Sequence, residues 1–157
     1  MTVIKNFRQI RRDGKIIEES MSLDKIISLG WGVEKVIELQ WNAGDENIST
    51  FKGKYALLGE VVPNRKAVAV LNFLDEKCLN SSLSILDING KEKIRIENEI
   101  FIQGERREGK FSWFSKPKNV LPSIIGVVFE LSSDHSMYLI DIDTDTGGFV
   151  GEPQIQK

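Results

Sequence analysis

The chain has very little of what disulfide-bonded, zinc-binding or membrane-spanning proteins use. Of its 157 residues only Cys78 is a cysteine and only His135 is a histidine. An internal disulfide is therefore excluded, and the usual three or four zinc ligands of these types are missing. No apolar run approaches the roughly 18 residues that span a bilayer, and residues 1–6 lack the apolar stretch of a signal peptide. These absences predict a cytoplasmic protein with no membrane partner.

Positive charge is also missing from most of the C-terminal quarter. Residues 119–156 contain no lysine or arginine, although the whole chain carries a net charge of only −2. Charge asymmetry of this kind concerns partners and solubility rather than fold. The carboxylates of this stretch are Glu130, Asp134, Asp141, Asp143, Asp145 and Glu152.

Turn residues recur between short apolar segments and favour a β-rich fold. Asp13-Gly14 and Asn89-Gly90 both supply the positive φ angles of hairpin turns. Nearly continuous apolar runs at 67–71 and 124–129 predict strands with both faces covered. Further strands are predicted at 36–41, 55–62, 66–74, 99–103, 110–114, 124–131 and 137–142.

The Asn89-Gly90 turn allows a register to be predicted. If it is a two-residue loop, Ile85 faces Ile94, and Asp87 then lies against Glu92 as a slightly unfavourable like-charge pair.

One short helix is predicted near residues 22–29. Ser22 can accept the first free amide hydrogens, Asp24 suits the positive end of the helix, and Gly30 follows its last residue. The next segment, 33–41, fits a helix or a strand, and we favour the strand. The sequence thus predicts a single β-rich domain over residues 1–157, an antiparallel barrel or sandwich with one short helix.

The acidic residues after position 140 resemble the ligand spacing of an EF-hand calcium loop. Asp141, Asp143, Asp145 and Glu152 fall at positions 1, 3, 5 and 12 of such a loop. Position 6, however, is Thr146 instead of the glycine that makes the sharp turn. We therefore expect neither a metal nor a cofactor. Strand alternation instead predicts an edge strand with Asp141 and Asp143 exposed together.

No catalytic constellation is evident. Ser133, Asp134 and His135 are consecutive, whereas the members of a catalytic triad come from separate elements, so this run is predicted to be a solvated turn. Asp141 and Asp143 could lie about 6–7 Å apart on one strand face. A small carboxylate-dependent hydrolase is therefore an alternative, although we expect no enzyme.

Segment 104–118 has the opposite character, with cations among aromatic side chains. Arg106, Arg107 and Trp113 could serve a single-stranded nucleic acid, so a nucleic-acid-binding β domain is a second alternative. The neighbouring glutamates and the overall pI of about 5.6 disfavour it. Phe111 and Trp113 alternate as strand residues do and are predicted to lie in the core. Exposure of Trp113 or Phe114 next to the arginines would instead indicate a protein interface or an RNA-binding surface.

This profile of a small β protein with an acidic stretch and no catalytic set resembles the immunity proteins of bacterial toxin–immunity pairs, including contact-dependent and polymorphic toxin systems. The resemblance implies a toxin inhibitor used in bacterial competition, which binds a cognate protein toxin stoichiometrically. It also implies a basic toxin, such as a nuclease, that meets an acidic surface. The candidate contacts are Glu130, Asp134, Asp141, Asp143 and Asp145, with Arg106, Arg107 and Trp113 as a second set.

Overall fold

The computed structural model describes residues 2–30, 35–44 and 47–156. Strands contain 56% of these residues and helix 4%, so the predicted mainly β fold is confirmed. In chain order the elements are β1 (Ile4–Arg11), β2 (Ile16–Glu18), α1 (Leu23–Ser28), β3 (Val36–Ala43), β4 (Ile48–Lys52), β5 (Ala56–Val61), β6 (Val68–Phe73), β7 (Ser81–Leu86), β8 (Glu92–Ile96), β9 (Glu99–Ile102), β10 (Glu105–Ser115), β11 (Ile124–Leu131), β12 (Met137–Asp143) and β13 (Phe149–Ile155).

The strands form three antiparallel sheets. The N-terminal sheet has the order β2-β1-β3-β4, the middle sheet β5-β6-β7-β8, and the C-terminal sheet β13-β12-β11-β10-β9. The two edge strands of the C-terminal sheet, β9 and β13, lie in contact, which makes this part of the molecule nearly closed and barrel-like.

Two apolar cores separate the sheets, and β6 contributes to both. Val68 and Val70 pack against the N-terminal sheet, whereas Ala69 and Leu71 pack against the C-terminal sheet. All four side chains are buried. The prediction that the 67–71 run lies between two covered faces is therefore confirmed, because the middle sheet is the middle layer of three.

Both predicted hairpins are present. Gly14 and Gly90 have φ angles of +86° and +83°. Each closes a three-residue loop, since the Arg11 amide donates to the Lys15 carbonyl and the Asp87 amide to the Lys91 carbonyl, both at 2.9 Å. A type I turn followed by a glycine in the left-handed region is a common hairpin of this length.

The second hairpin corrects one detail of the predicted register. Ile85 faces Ile94 as predicted, but the ladder shifts by one residue next to the turn, so Glu92 lies opposite Leu86. The Glu92 carboxylate accepts a 2.6 Å hydrogen bond from the Ser84 hydroxyl. The shift separates Asp87 from Glu92 and so removes the unfavourable like-charge pair.

The predicted helix is present as α1. The Ser22 hydroxyl accepts a hydrogen bond of 3.2 Å from the Lys25 amide, and Gly30 follows the last turn with a φ of +88°. No helix in the described ranges is long and apolar enough to cross a membrane. Of the ambiguous 33–41 segment, residues 36–41 form a strand as favoured, while residues 33 and 34 lie outside the described residues.

Two strands were missed by the sequence analysis, β4 and β13. β13 contains Gly151, which has a positive φ, and Pro153. Both residues weaken a strand pattern and are tolerated because β13 lies at the edge of its sheet.

Candidate partner-binding surface

The acidic residues of the C-terminal quarter do not form one continuous face. Glu130 and Asp134 lie at the turn between β11 and β12, whereas Asp143 and Asp145 lie at the opposite end of β12. At about 3.3 Å per residue, the seven residues of β12 separate the two turns by on the order of 20 Å. The structure therefore divides the predicted acidic surface into two small groups.

The first group, Glu130 and Asp134, makes its contacts within its own turn. The Asp134 carboxylate accepts a 2.9 Å hydrogen bond from the Ser136 amide. This bond is the main reason why the pKa of Asp134 lies below its usual value, and Arg107 adds a smaller effect. Glu130 lies 3.3 Å from the exposed His135 ring. As predicted, the run around His135 is a solvated turn.

Asp141 overturns the prediction that it is exposed. Ile140 and Ile142 point inward as predicted, yet Asp141 is itself only 4% exposed. Its carboxylate accepts three hydrogen bonds, from the Lys118 amide at 2.9 Å, the Asn119 amide at 2.6 Å and the Asn119 side chain at 2.9 Å. β12 is also no edge strand, because β11 and β13 flank it. Asp141 therefore fastens a loop and is not free to contact a partner.

The second acidic group, Asp143 and Asp145, also forms a hydrogen bond within its own turn. The Asp143 carboxylate accepts a 2.9 Å hydrogen bond from the Asp145 amide. Asp145 is 67% exposed and lies 3.8 Å from the Lys93 ammonium group. In the part of the chain that is described, no group of three acidic, histidine or cysteine side chains is placed to hold a metal ion. The EF-hand spacing thus does not become a calcium-loop geometry, and the Asp141 and Asp143 pair gives no open two-carboxylate site.

The arginines of segment 104–118 are engaged by neighbouring side chains. Arg106 forms ion pairs with Glu99 and with Glu108, the latter at 2.9 Å. Arg107 donates a 3.1 Å hydrogen bond to the Ser133 hydroxyl. The two carboxylates beside the Arg106 guanidinium reduce its attraction for phosphate, so this geometry gives the nucleic-acid alternative no support.

Trp113 contradicts its predicted core position. Phe111 is fully buried, but the β10 ladder shifts between Phe111 and Trp113, and Trp113 is 41% exposed. Trp113 pairs with Val128, and Val128 pairs in turn with Leu139, so these residues form a row across β10, β11 and β12. Arg106 is seven residues away along β10, on the order of 20 Å, so Trp113 does not lie beside the arginines.

The loop of residues 116–122 borders this row. The start of the loop passes close to β11, because a Cβ atom on Gly126 would lie 2.8 Å from the Pro117 backbone, in addition to 2.5 Å from the carbonyl oxygen of its ladder partner Ser115. The loop leaves Val120 68% and Leu121 54% exposed. We call the outer face of the C-terminal sheet around Trp113, Leu139 and this loop the Trp113 face.

The sequence analysis missed the loop and Leu139 as parts of a surface. The available signal was the pair Val120-Leu121 between Asn119 and Pro122, since two apolar residues in a turn-rich stretch have no strand to bury them. The sequence did not indicate that Leu139 is partly exposed, because any leucine in a predicted strand is expected to lie in the core.

Comparison with known proteins finds a similarity that extends over nearly the whole chain. It is similar to a chain in the solved structure of Tne2 in complex with Tni2, with 34% identical residues and a TM-score of 0.89. The match covers 98% of this chain and 99% of that chain. No family model matches the chain. No curated protein matches it either.

Proposed function

The chain belongs to the same family as its counterpart in the Tne2–Tni2 structure, and from that premise we propose that it is an immunity protein. It binds a cognate toxin stoichiometrically and thereby neutralises it. Such a protein protects a bacterium against a toxin used in competition.

One observation carries the proposal. Tne2 and Tni2 form a toxin–immunity pair, and the similarity extends over nearly the full length of both chains. Because identity of 34% accompanies a TM-score of 0.89, the resemblance concerns a common ancestor and not only a common sheet architecture.

The arrangement of side chains supports binding rather than catalysis. The buried Asp141 carboxylate is saturated by the Lys118 and Asn119 donors, and Cys78 lies far in the chain from His135, which contacts Glu130. The chain therefore offers a rigid sheet with exposed side chains, which suits an inhibitor that covers a surface of its target.

The finer form of the proposal concerns the chemistry of the toxin. The acidic C-terminal quarter favours a basic toxin, such as a nuclease that acts in the cytoplasm. Since Asp141 is buried, the carboxylates that can steer such a toxin are Glu130, Asp134, Asp143 and Asp145, in two groups at opposite ends of β12. Opposite potentials accelerate encounter, and salt weakens this effect.

The proposed function is tested by a titration with a cognate toxin, taken as the product of a toxin-like reading frame found next to the gene for this chain. We expect toxin activity to fall linearly and to vanish at one immunity protein per toxin, with a complex of the summed mass in light scattering. Loss of toxin activity at far lower ratios would indicate an enzyme that destroys the toxin. Full toxin activity at excess protein would contradict the proposal altogether.

A further inference from the structure

We infer that the Trp113 face is the centre of the toxin contact, and that the toxin presents there an apolar pocket bordered by carboxylates. The inference rests on the proposed function and adds the location and the chemistry of the central contact. A toxin that is basic elsewhere on its surface, and is attracted by the carboxylates at the two ends of β12, would carry this acidic-edged pocket at the centre.

The first argument is the side chain at the centre of the face. Trp113 is 41% exposed on β10, in a row with Val128 of β11 and Leu139 of β12. Tryptophan is the kind of residue that contributes most to protein interfaces, because its ring covers a large area and fixes few torsions when it is bound. A strand shift between Phe111 and Trp113 turns the ring outward, so the fold itself presents it.

The second argument is that the border of the face is held in place before any partner arrives. Burial of the Asp141 carboxylate would be unfavourable without the hydrogen bonds that the Lys118 and Asn119 groups donate. These bonds fix the loop that exposes Val120 and Leu121. A loop ordered in advance loses less conformational entropy on binding and so contributes more to affinity.

The third argument is charge. Residues 109–121 contain three cations, Lys110, Lys116 and Lys118, and no carboxylate. Glu130, which lies opposite Lys110 in the ladder, is adjacent to His135. Glu130 offsets Lys110, and the Asp141 carboxylate is buried under the loop, so the exposed charges beside Trp113 are those of Lys116 and Lys118. The complementary surface is an apolar pocket with acidic residues at its edge.

The test measures binding of that cognate toxin to variants of this chain by surface plasmon resonance. Trp113→Ala should weaken the affinity at least about 30-fold, as expected for a central aromatic contact. Lys116→Glu combined with Lys118→Glu should slow association, and the effect should shrink as salt is raised. Ile48→Ala is the matched control, because Ile48 is also an exposed apolar strand residue but lies in the N-terminal sheet, and it should change affinity less than about twofold.

The outcomes separate the inference from the proposed function. If the unmodified protein binds the toxin and Trp113→Ala with unchanged circular dichroism binds equally well, the inference is overturned and the proposed function stands. If the lysine reversal accelerates association, the toxin is basic at this face and the acidic-pocket chemistry is wrong. If the unmodified protein does not bind, the proposed function fails and the inference fails with it.

Discussion

β6 and β11 contain similar apolar runs, yet different parts of the molecule cover their faces. β6 lies in the middle sheet, and cores of apolar side chains cover both of its faces. β11 packs one face into a core through Val127 and Phe129, whereas its other face is covered in part by the 116–122 loop and in part by side chains such as Trp113. An apolar run therefore predicts that a strand is buried, but not what buries it.

The loop that lies over part of β11 is held by hydrogen bonds, whereas packed apolar side chains cover both faces of β6. Packed apolar layers need no directional bonds, whereas a loop lying on a sheet must satisfy its amide groups. Asp141 satisfies two of them, and Gly126 provides the space in which the chain can approach. The two regions should consequently respond differently to substitution.

The largest effect is expected in the middle sheet. Leu71→Ala should lower the free energy of unfolding by about 2–5 kcal/mol, because Leu71 is fully buried and its truncation leaves a cavity in a closely packed core. Urea denaturation measures the loss. Leu74→Ala, three residues later and exposed, should cost about 0.5 kcal/mol or less. Equal losses at both positions would contradict the three-layer packing.

The next largest loss of stability is expected where Asp141 holds the 116–122 loop by hydrogen bonds. Asp141→Ala should lower the free energy of unfolding by about 2–3 kcal/mol, because a charged acceptor of three hydrogen bonds is lost. Amide hydrogen exchange at Lys118 and Asn119 should also accelerate. Asp145→Ala is the control and should have little effect, since Asp145 is exposed. Unchanged exchange at the two amides would show that the loop is held by other contacts.

A smaller effect on stability is expected at the outer face. Trp113→Ala should lower the free energy of unfolding by about 2 kcal/mol, less than for a fully buried aromatic residue, because part of the ring is already in contact with water. Thermal unfolding followed by circular dichroism measures the change. A loss of about 3–5 kcal/mol, typical of a buried aromatic residue, would mean that Trp113 belongs to the core instead of the surface.

The smallest effect is expected at Glu60 in β5, and it has the opposite sign. Burial raises the pKa of Glu60 above its ordinary value of 4.5, so the folded chain retains this proton to higher pH than the unfolded chain. Stability is therefore lost as the pH rises from the ordinary pKa through the raised one. Glu60→Gln should stabilise the protein slightly near pH 7 and give no gain near pH 4 in urea denaturation. A gain of the same size at both pH values would show that packing, not ionisation, is responsible.

Much of the fold was predictable because it follows from local patterns. Strand β11 has the bounds that were predicted, the pairing of Ile85 with Ile94 follows from a glycine turn, and Ser22 caps α1. The site was predictable only in part. Asp145 is exposed and Asp143 partly exposed, as a surface position requires, but the sequence analysis placed Asp141 outside and Trp113 inside, whereas the structure buries Asp141 and exposes Trp113.

The sequence by itself determined most of the strands, though not β4 and β13, and the apolar side of most of them, because backbone propensity and alternation act over a few residues. Only the tertiary structure decided that Asp141 is buried and Trp113 exposed. The first depends on a loop that arrives from 22 residues away, and the second depends on a shift in the β10 ladder. Alternation specifies the face to which a side chain points, whereas the packing of distant segments decides whether that face is covered.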